Sequence, residues 1–114
     1  SSYDGFVFVT PEYNHSFTGV LKNAIDYLYS EWHNKSAGFV SYGLNGGTRA
    51  VEHLRVIMAE LHMADVRDQV SLNYFTEFDE NGQVVPAEHQ EAILHRMLDQ
   101  VIAWGNALAT LRKA

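Results

Sequence analysis

An apolar strand that ends at a proline and leads straight into a helix constrains the fold of this chain most. Residues 6–9 read FVFV, and Pro11 follows two positions later. Continuous apolarity predicts a strand buried on both faces, and proline, which lacks an N–H, ends strand pairing. Residues 19–29 are a predicted helix with Thr18 as its N-cap. Its apolar side chains fall on one stripe: Leu21, Ala24, Ile25 and Leu28.

The strand-then-helix pattern occurs three times along the chain. Because strands alternate with helices, we expect parallel strands joined by right-handed crossovers. We find no internal repeat or linker, so residues 1–114 are predicted to form a single α/β domain. Pro86 is expected in the first turn of the last helix, where proline is tolerated. The later predicted elements are strand 37–42, helix 48–63, a weaker strand within 65–74, and helix 86–111.

Composition limits the partners of this chain. The apolar fraction of 46% and the charged fraction of 19% are typical of a globular protein. A net charge of -6 with only 8 scattered Lys and Arg argues against nucleic acid as a partner. No apolar run approaches the roughly 20 residues needed to cross a membrane. The absence of cysteine excludes disulfides and thiol chemistry and fits a cytoplasmic protein.

Two loops form the candidate functional site. Residues 10–18 and 43–48 each join the end of a strand to the start of a helix. Such loops project from the same edge of a parallel sheet and can line one crevice. The helix N-termini behind them favour an anion or a developing negative charge. This crevice suits a flat polar ring with Tyr13 or Tyr42 near its face, whereas the alternative is a pair of ordinary turns.

The sequence contains no convincing acid–base, metal or phosphate-loop motif. Glu12 and His15 could move protons, but neighbouring surface residues of this kind are usually solvated, so no catalytic residue is assigned. His53 and His62 are nine positions apart, which is not the spacing of helical metal ligands, so no metal is expected. The glycine-rich segment 43–47 lacks the Lys-Ser/Thr pair of a phosphate loop.

Aromatic residues crowd the end of the first predicted helix: Tyr27, Tyr29 and Trp32. They could belong to the core, as aromatic residues at helical spacing usually do. They could also lie in a subunit interface, where Tyr and Trp are enriched. Symmetric homo-oligomers are common among small enzymes, so the interface is favoured.

Two segments resemble the NADPH-dependent FMN reductase family, whose fold is flavodoxin-like. The first is Thr10-Pro11-Glu12-Tyr13-Asn14 with Ser16 and residues 19–26 (GVLKNAID). The second is Ser41-Tyr42-Gly43 with Gly46-Gly47, Arg49 and residues 53–55 (HLR). The resemblance implies a three-layer αβα fold around a parallel sheet. It also implies an FMN-dependent oxidoreductase that passes electrons from NADPH or NADH to flavin, quinone or a similar small-molecule acceptor. The alternative is a non-enzymatic electron carrier or flavin-binding module of the same fold.

The resemblance also assigns roles to individual residues. One group would border the isoalloxazine ring of FMN: Pro11, Glu12, Tyr13 and Asn14. A second group would meet the pyrimidine edge of the ring: Ser41, Tyr42, Gly43, Gly46 and Gly47. Arg49 would lie at the mouth of the site or at a subunit interface, and a homodimer or tetramer is expected.

One feature of the family has no counterpart in this sequence. Family members begin with a strand and a Gly-Ser-x-Arg-x-x-Ser loop that grips the FMN phosphate. This chain begins where the family's third strand begins, so it lacks the first two strands of the usual 2-1-3-4-5 order. The resemblance therefore implies the C-terminal portion of a longer protein, whose N-terminal segment would pair with residues 6–9 and cover an otherwise open strand edge.

Overall fold

Three strands alternate with three helices in the computed structural model, which describes residues 2–113. A short 3₁₀ turn at Ser30–Trp32 follows the first helix. The elements in chain order are β1 (Gly5–Pro11), α1 (Gly19–Asp26), β2 (Ser36–Gly43), α2 (Thr48–Glu60), β3 (Ala64–Asn73) and α3 (Gln90–Arg112).

The strands form one parallel sheet in the order β1-β2-β3. Pro11 pairs with Tyr42 at the end of β1, and Tyr42 pairs with Leu72 of β3. All three strands therefore end at one edge of the sheet, and the loops that follow them are neighbours. This confirms the predicted parallel α/β arrangement.

Helices cover both faces of the sheet, which confirms the three-layer αβα architecture. On one face α1 and α2 enclose a cluster that includes Phe8, Phe39 and Leu54. On the other face α3 packs Met97 and its neighbours against β2 and β3. The predicted cap of α1 is also confirmed, because the Thr18 hydroxyl accepts a hydrogen bond from the Leu21 N–H at 3.0 Å. No helix within residues 2–113 is both long and apolar enough to span a membrane.

The prediction that the first strand is buried on both faces is wrong for this chain. Phe8 points into the core, but Val7 is exposed and Val9 is 60% exposed on the opposite face. The reason is geometric: α3 packs mainly over β2 and β3, and β1 is the edge strand of the sheet. The N–H and C=O groups on one side of β1 have no partner strand among the described residues.

Trp32, for which the sequence favours an interface over the core, lies in the core of this chain. Its ring packs against Phe6 and Phe8, with centroids 5.0 and 5.8 Å apart. Its indole N–H donates to the Ile25 carbonyl at 3.0 Å, and only 8% of the residue is exposed. A residue so enclosed by its own chain has little surface left for a partner. Tyr27 is exposed, and its role at an interface stays a prediction.

Several predicted boundaries differ from the observed ones. Helix α1 ends at Asp26 rather than at residue 29, and α2 ends at Glu60 rather than at residue 63. Strand β3 is the longest strand, although its apolar pattern in the sequence is weak. Helix α3 begins at Gln90, so Pro86 lies in the preceding loop rather than in the first turn. The loop persists to residue 89 because the buried Glu77 carboxylate accepts a hydrogen bond from the Ala87 N–H at 2.9 Å.

Candidate functional site

A cleft of about 320 Å³ opens at the edge where the three strands end. Each of the three loops that follow β1, β2 and β3 contributes residues to it. The lining residues are Pro11, Glu12, Tyr13, Tyr42, Gly43, Leu44, Tyr74, Phe78 and Gly82. The cleft is thus built from segments distant in sequence that the parallel sheet brings to one edge.

The loop after β1 contains a tight turn at residues 13–16. Tyr13 and Ser16 exchange two backbone hydrogen bonds, of 2.9 and 3.1 Å. The two residues between them have positive φ, 50° for Asn14 and 77° for His15. A turn with two left-handed residues normally prefers Asn-Gly, so a histidine here is strained. The Ser16 hydroxyl lies 2.7 Å from His53 Nδ1 of α2, which ties the turn to the next helix.

Glu12 joins this loop to the start of α2. Its carboxylate accepts hydrogen bonds from the backbone N–H groups of Arg49 and Ala50, at 2.9 and 3.2 Å. The same carboxylate binds the Arg49 guanidinium, with Nε at 2.7 Å and Nη2 at 2.6 Å. The Glu12 side chain is only 6% exposed. The helix has no capping side chain of its own, since its N-cap is Gly47, and Glu12 takes that role from the loop after β1.

This arrangement corrects two expectations. Glu12 is not a solvated surface residue, and the N-terminus of α2 is not open to a ligand anion, because the Glu12 carboxylate already occupies it. Burial raises the pKa of the Glu12 carboxyl, but the hydrogen bonds and charge of Arg49 and the Ala50 N–H outweigh it, so the pKa is lowered overall. Glu12 therefore stays ionised at neutral pH and is unsuited to proton transfer.

The loop after β2 is held by a hydrogen bond and close packing among its own residues and the end of β2. The Ser41 hydroxyl is fully buried and donates to the Gly46 carbonyl at 2.6 Å. Gly47 has a φ of 74°, and a Cβ added there would lie 2.6 Å from Ser41 Cβ. Only glycine fits at this position. The Ser41 hydroxyl is therefore already paired within the loop, and contact between Ser41 and a ligand stays a prediction.

The structure brings some predicted site residues together and leaves others outside the cleft. Five of the predicted ring-binding residues line it: Pro11, Glu12, Tyr13, Tyr42 and Gly43. Four others support the loops without lining the cleft: Asn14, Ser41, Gly46 and Gly47. Arg49 lies behind Glu12, with Nη1 3.5 Å from His15 Nε2. Contact of any of these residues with FMN stays a prediction.

Sequence reasoning missed the loop after β3. Tyr74 and Phe78 line the cleft opposite the β1 loop, and the ring centroid of Phe78 is 5.6 Å from that of Tyr74 and 6.1 Å from that of Tyr42. The topology rule applied to the first two loops also covers the third, because β3 ends at the same edge. That rule is the signal that could have found these residues.

Glu77 holds the β3–α3 loop in place. Its buried carboxylate accepts hydrogen bonds from the Asn73 N–H (2.8 Å), the Ala87 N–H (2.9 Å) and the Gln90 side-chain amide (2.9 Å). Burial raises the pKa of the Glu77 carboxyl, but these donors and the nearby His89 lower it further than burial raises it. One carboxylate thus fixes the end of β3, the far side of the loop and the start of α3.

The lining of the cleft fits one part of FMN and not the other. Its aromatic, proline and glycine surfaces suit a flat conjugated ring. It contains no Lys or Arg, so the described residues offer no cation in the cleft for a phosphate. Nor do residues 2–113 contain a group of three His, Asp or Glu side chains placed to hold a metal ion.

Comparison with known proteins gives consistent relatives. Residues 1–77 match the NADPH-dependent FMN reductase family. An NAD(P)H-dependent FMN reductase of Saccharomyces cerevisiae is 48% identical over 63 residues, which cover 55% of this chain and 33% of that protein. A 2-hydroxy-1,4-benzoquinone reductase of a Burkholderia species is 34% identical over 110 residues, covering 89% of this chain and 60% of that protein.

A solved structure shows the same fold. FerB, a flavoenzyme NAD(P)H:(acceptor) oxidoreductase from Paracoccus denitrificans, superimposes with a TM-score of 0.64 over 96% of this chain and 63% of that one, at 22% identity. The chain spans 33% and 60% of the two curated relatives described above. The family match covers more than half of the chain and includes both candidate loops. This chain belongs to the NADPH-dependent FMN reductase family.

Proposed function

We propose that the protein containing this chain is an FMN-dependent oxidoreductase that transfers electrons from NADPH or NADH to a quinone or similar small molecule. The observation that carries the proposal is the cleft between Pro11–Tyr13 and Tyr42–Gly43, at the carboxyl edge of a parallel sheet. These residues belong to the segment matched to the family. In overall balance, NAD(P)H gives up a hydride, and the quinone takes two electrons and two protons, one of them from water.

In this proposal the protein binds and orients, and FMN, when bound, supplies the two-electron chemistry. Tyr13 and Tyr42 offer ring faces and Pro11 a rigid edge to the isoalloxazine. Glu12 and Arg49 act through the backbone, because their ion pair fixes the β1 loop against α2. Asn14 would border the ring from the strained turn, and Gly46 and Gly47 would shape the loop at its pyrimidine edge, because the Gly46 N–H already donates to the Gly43 carbonyl at 3.1 Å. Ser41 would support that edge only through the loop it holds.

The exposed edge of β1 supports a further part of the proposal. Strand edges with apolar faces are normally paired or covered, and Val7 and Val9 are exposed beside this one. We propose that an N-terminal segment of the same protein supplies the neighbouring strand and the phosphate-binding loop. We also propose that the protein forms a homodimer or tetramer with Tyr27 or Arg49 near the interface. The proposed location is the cytoplasm, which the absence of cysteine fits.

Steady-state kinetics of the native protein loaded with FMN test the proposed function. We expect oxidation of NADPH or NADH that depends on added benzoquinone and on bound FMN. A protein that binds FMN but oxidises neither nucleotide without a partner reductase would instead be an electron carrier. Failure to bind FMN at all would contradict both.

A further inference from the structure

One face of helix α2 contacts the loop after β1 on both sides of its tight turn. Arg49 and His53 are four positions apart in α2, so their side chains project from the same face of the helix. Arg49 binds the Glu12 carboxylate, which precedes the turn, with Nε at 2.7 Å. His53 Nδ1 lies 2.7 Å from the hydroxyl of Ser16, the last residue of the turn. The turn is therefore held between two contacts from one helix.

The turn adopts a backbone conformation that its own residues do not favour. Asn14 and His15 have positive φ, 50° and 77°, and residues other than glycine enter this region at a conformational cost. Strained backbone of this kind persists where the surrounding structure holds it. The two contacts from α2 are the surrounding structure that holds this turn.

His53 is itself fixed in position. Its ring makes an edge-to-face contact with Phe17, with centroids 6.5 Å and planes 86° apart. Phe17 in turn packs against the core cluster that contains Phe8 and Leu54. The imidazole is thus anchored to the core on one side and bound to the Ser16 hydroxyl on the other.

The turn places one aromatic ring of the cleft. Tyr13 is the first residue of the turn and lines the cleft. It is 63% exposed, so packing does little to fix its side chain, and its direction depends on the backbone of the turn. A ring that is already in place when a ligand arrives loses less conformational entropy on binding. The contact between His53 and Ser16 therefore bears on ligand affinity, although neither residue lines the cleft.

We propose that His53 is a positioning residue for the flavin: its hydrogen bond to Ser16 holds the strained turn, and the turn orients the Tyr13 ring toward the isoalloxazine. The inference rests on the proposed function, which places the flavin ring beside Tyr13. It adds to the site a residue of α2 that touches no ligand and acts through the turn.

The first test is the Kd of the native protein for FMN, measured by flavin fluorescence. We expect His53→Leu to raise this Kd by about 3- to 10-fold, the order expected for loss of one hydrogen bond. His53→Asn should stay within about twofold of wild type, because an asparagine amide can replace the Nδ1 group of histidine. Glu52→Ala is the matched control on α2, since Glu52 is 71% exposed and lies near Arg55 rather than the turn. It should also stay within about twofold.

A second set of measurements shows whether His53 acts through the turn. In a Tyr13→Ala background, His53→Leu should change the Kd for FMN by less than about twofold. Amide hydrogen exchange of the FMN-free protein reports on the turn directly. We expect His53→Leu to speed exchange of the Tyr13 and Ser16 N–H groups, which bond within the turn, by about 10-fold. The Met63 N–H, which bonds to the Met58 carbonyl at 3.0 Å beyond the end of α2, should stay unchanged.

Other results would overturn the proposal. An equal loss of FMN affinity with and without Tyr13, a loss that His53→Asn does not restore, or faster exchange at Met63 as well would show that His53 only stabilises the fold. Ser16→Ala removes the same hydrogen bond from the side of the turn and should reproduce the values of His53→Leu. A wild-type protein that binds FMN and oxidises NADPH, with a Kd that His53→Leu leaves unchanged, would refute the positioning role and leave the proposed function standing. A wild-type protein that does not bind FMN would contradict both.

Discussion

At the scale of single residues, Glu12 is the side chain whose role differs most from its appearance in the sequence. Beside His15 it resembles half of a proton-transfer pair. In the fold it is a distant cap for α2 and the partner of Arg49. No local sequence pattern indicates this capping role, because Glu12 and Arg49, whose N–H it accepts, are 37 positions apart. Sequence spacing finds capping residues only when they immediately precede their helix.

Removing the Glu12 carboxylate should destabilise the protein without loss of a reacting group. We predict that Glu12→Ala lowers the free energy of unfolding by about 1–2 kcal/mol, the usual cost of a lost helix cap. Glu52→Ala is the control, because Glu52 lies on α2, is 71% exposed and is 3.8 Å from Arg55. Its effect on the free energy of unfolding should stay within about 0.5 kcal/mol. Urea unfolding measures both, and equal losses would contradict the capping role.

The two buried carboxylates also predict an acid sensitivity. Glu12 and Glu77 have lowered pKa values in the folded protein. Their stabilisation is fully present above the unfolded value of about 4.3 and is lost as the pH falls through their lower folded values. We expect the free energy of unfolding to fall as the pH is lowered below about 5.

Glu77→Gln provides the matched measurement for this acid sensitivity. It should lower stability at neutral pH by about 1–3 kcal/mol, because it leaves buried N–H donors poorly paired. It should also flatten the decline in acid, as one ionisable group is gone. Urea unfolding at a series of pH values measures both effects. The same pH dependence in wild type and variant would show that Glu77 does not contribute.

At the scale of elements, the sequence predicts the sheet and its first two loops well. The FVFV run, the glycine-rich segment and the recurring helical stripes identify β1, β2, α1 and α2 and the edge at which their loops meet. The prediction from sequence fails where contacts between distant residues determine the structure. The start of α3 depends on Glu77, and Trp32 is buried by Phe6 and Phe8 rather than by residues of its own turn. Contacts between distant residues leave no periodic trace in the sequence.

The β2 loop supplies a prediction about backbone geometry. Gly47→Ala should lower the free energy of unfolding by about 2 kcal/mol or more, because alanine is disfavoured at a φ of 74° and its Cβ would lie 2.6 Å from Ser41 Cβ. Gly19→Ala is the control, since a Cβ there meets nothing within 4 Å and alanine favours helix. Thermal unfolding measures both. If Gly47→Ala were tolerated as well as Gly19→Ala, the loop would not be held as described.

At the scale of the whole molecule, the edge of β1 that has no partner strand among residues 2–113 dominates the behaviour of these residues in isolation. An apolar strand edge is a template for self-association. We predict that the 114-residue chain on its own forms oligomers or aggregates, and that Val9→Lys reduces them because a charge on an edge strand opposes pairing. Val20→Lys, on the exposed surface of α1, should not. Light scattering after size exclusion measures the masses, and a monomeric unmodified chain would contradict the prediction.

The proposed function requires that the flavin ring bind where β1 and β2 end. Backbone amide chemical shifts of the native protein, followed as FMN is added, test it most directly. We predict that the largest changes fall on Tyr13, Tyr42 and Gly43, while Lys35 and His62, beyond the opposite ends of the strands, stay unchanged. Changes centred on the separate cavity lined by Val40, Leu72 and Leu94, or none at saturating FMN, would contradict the claim.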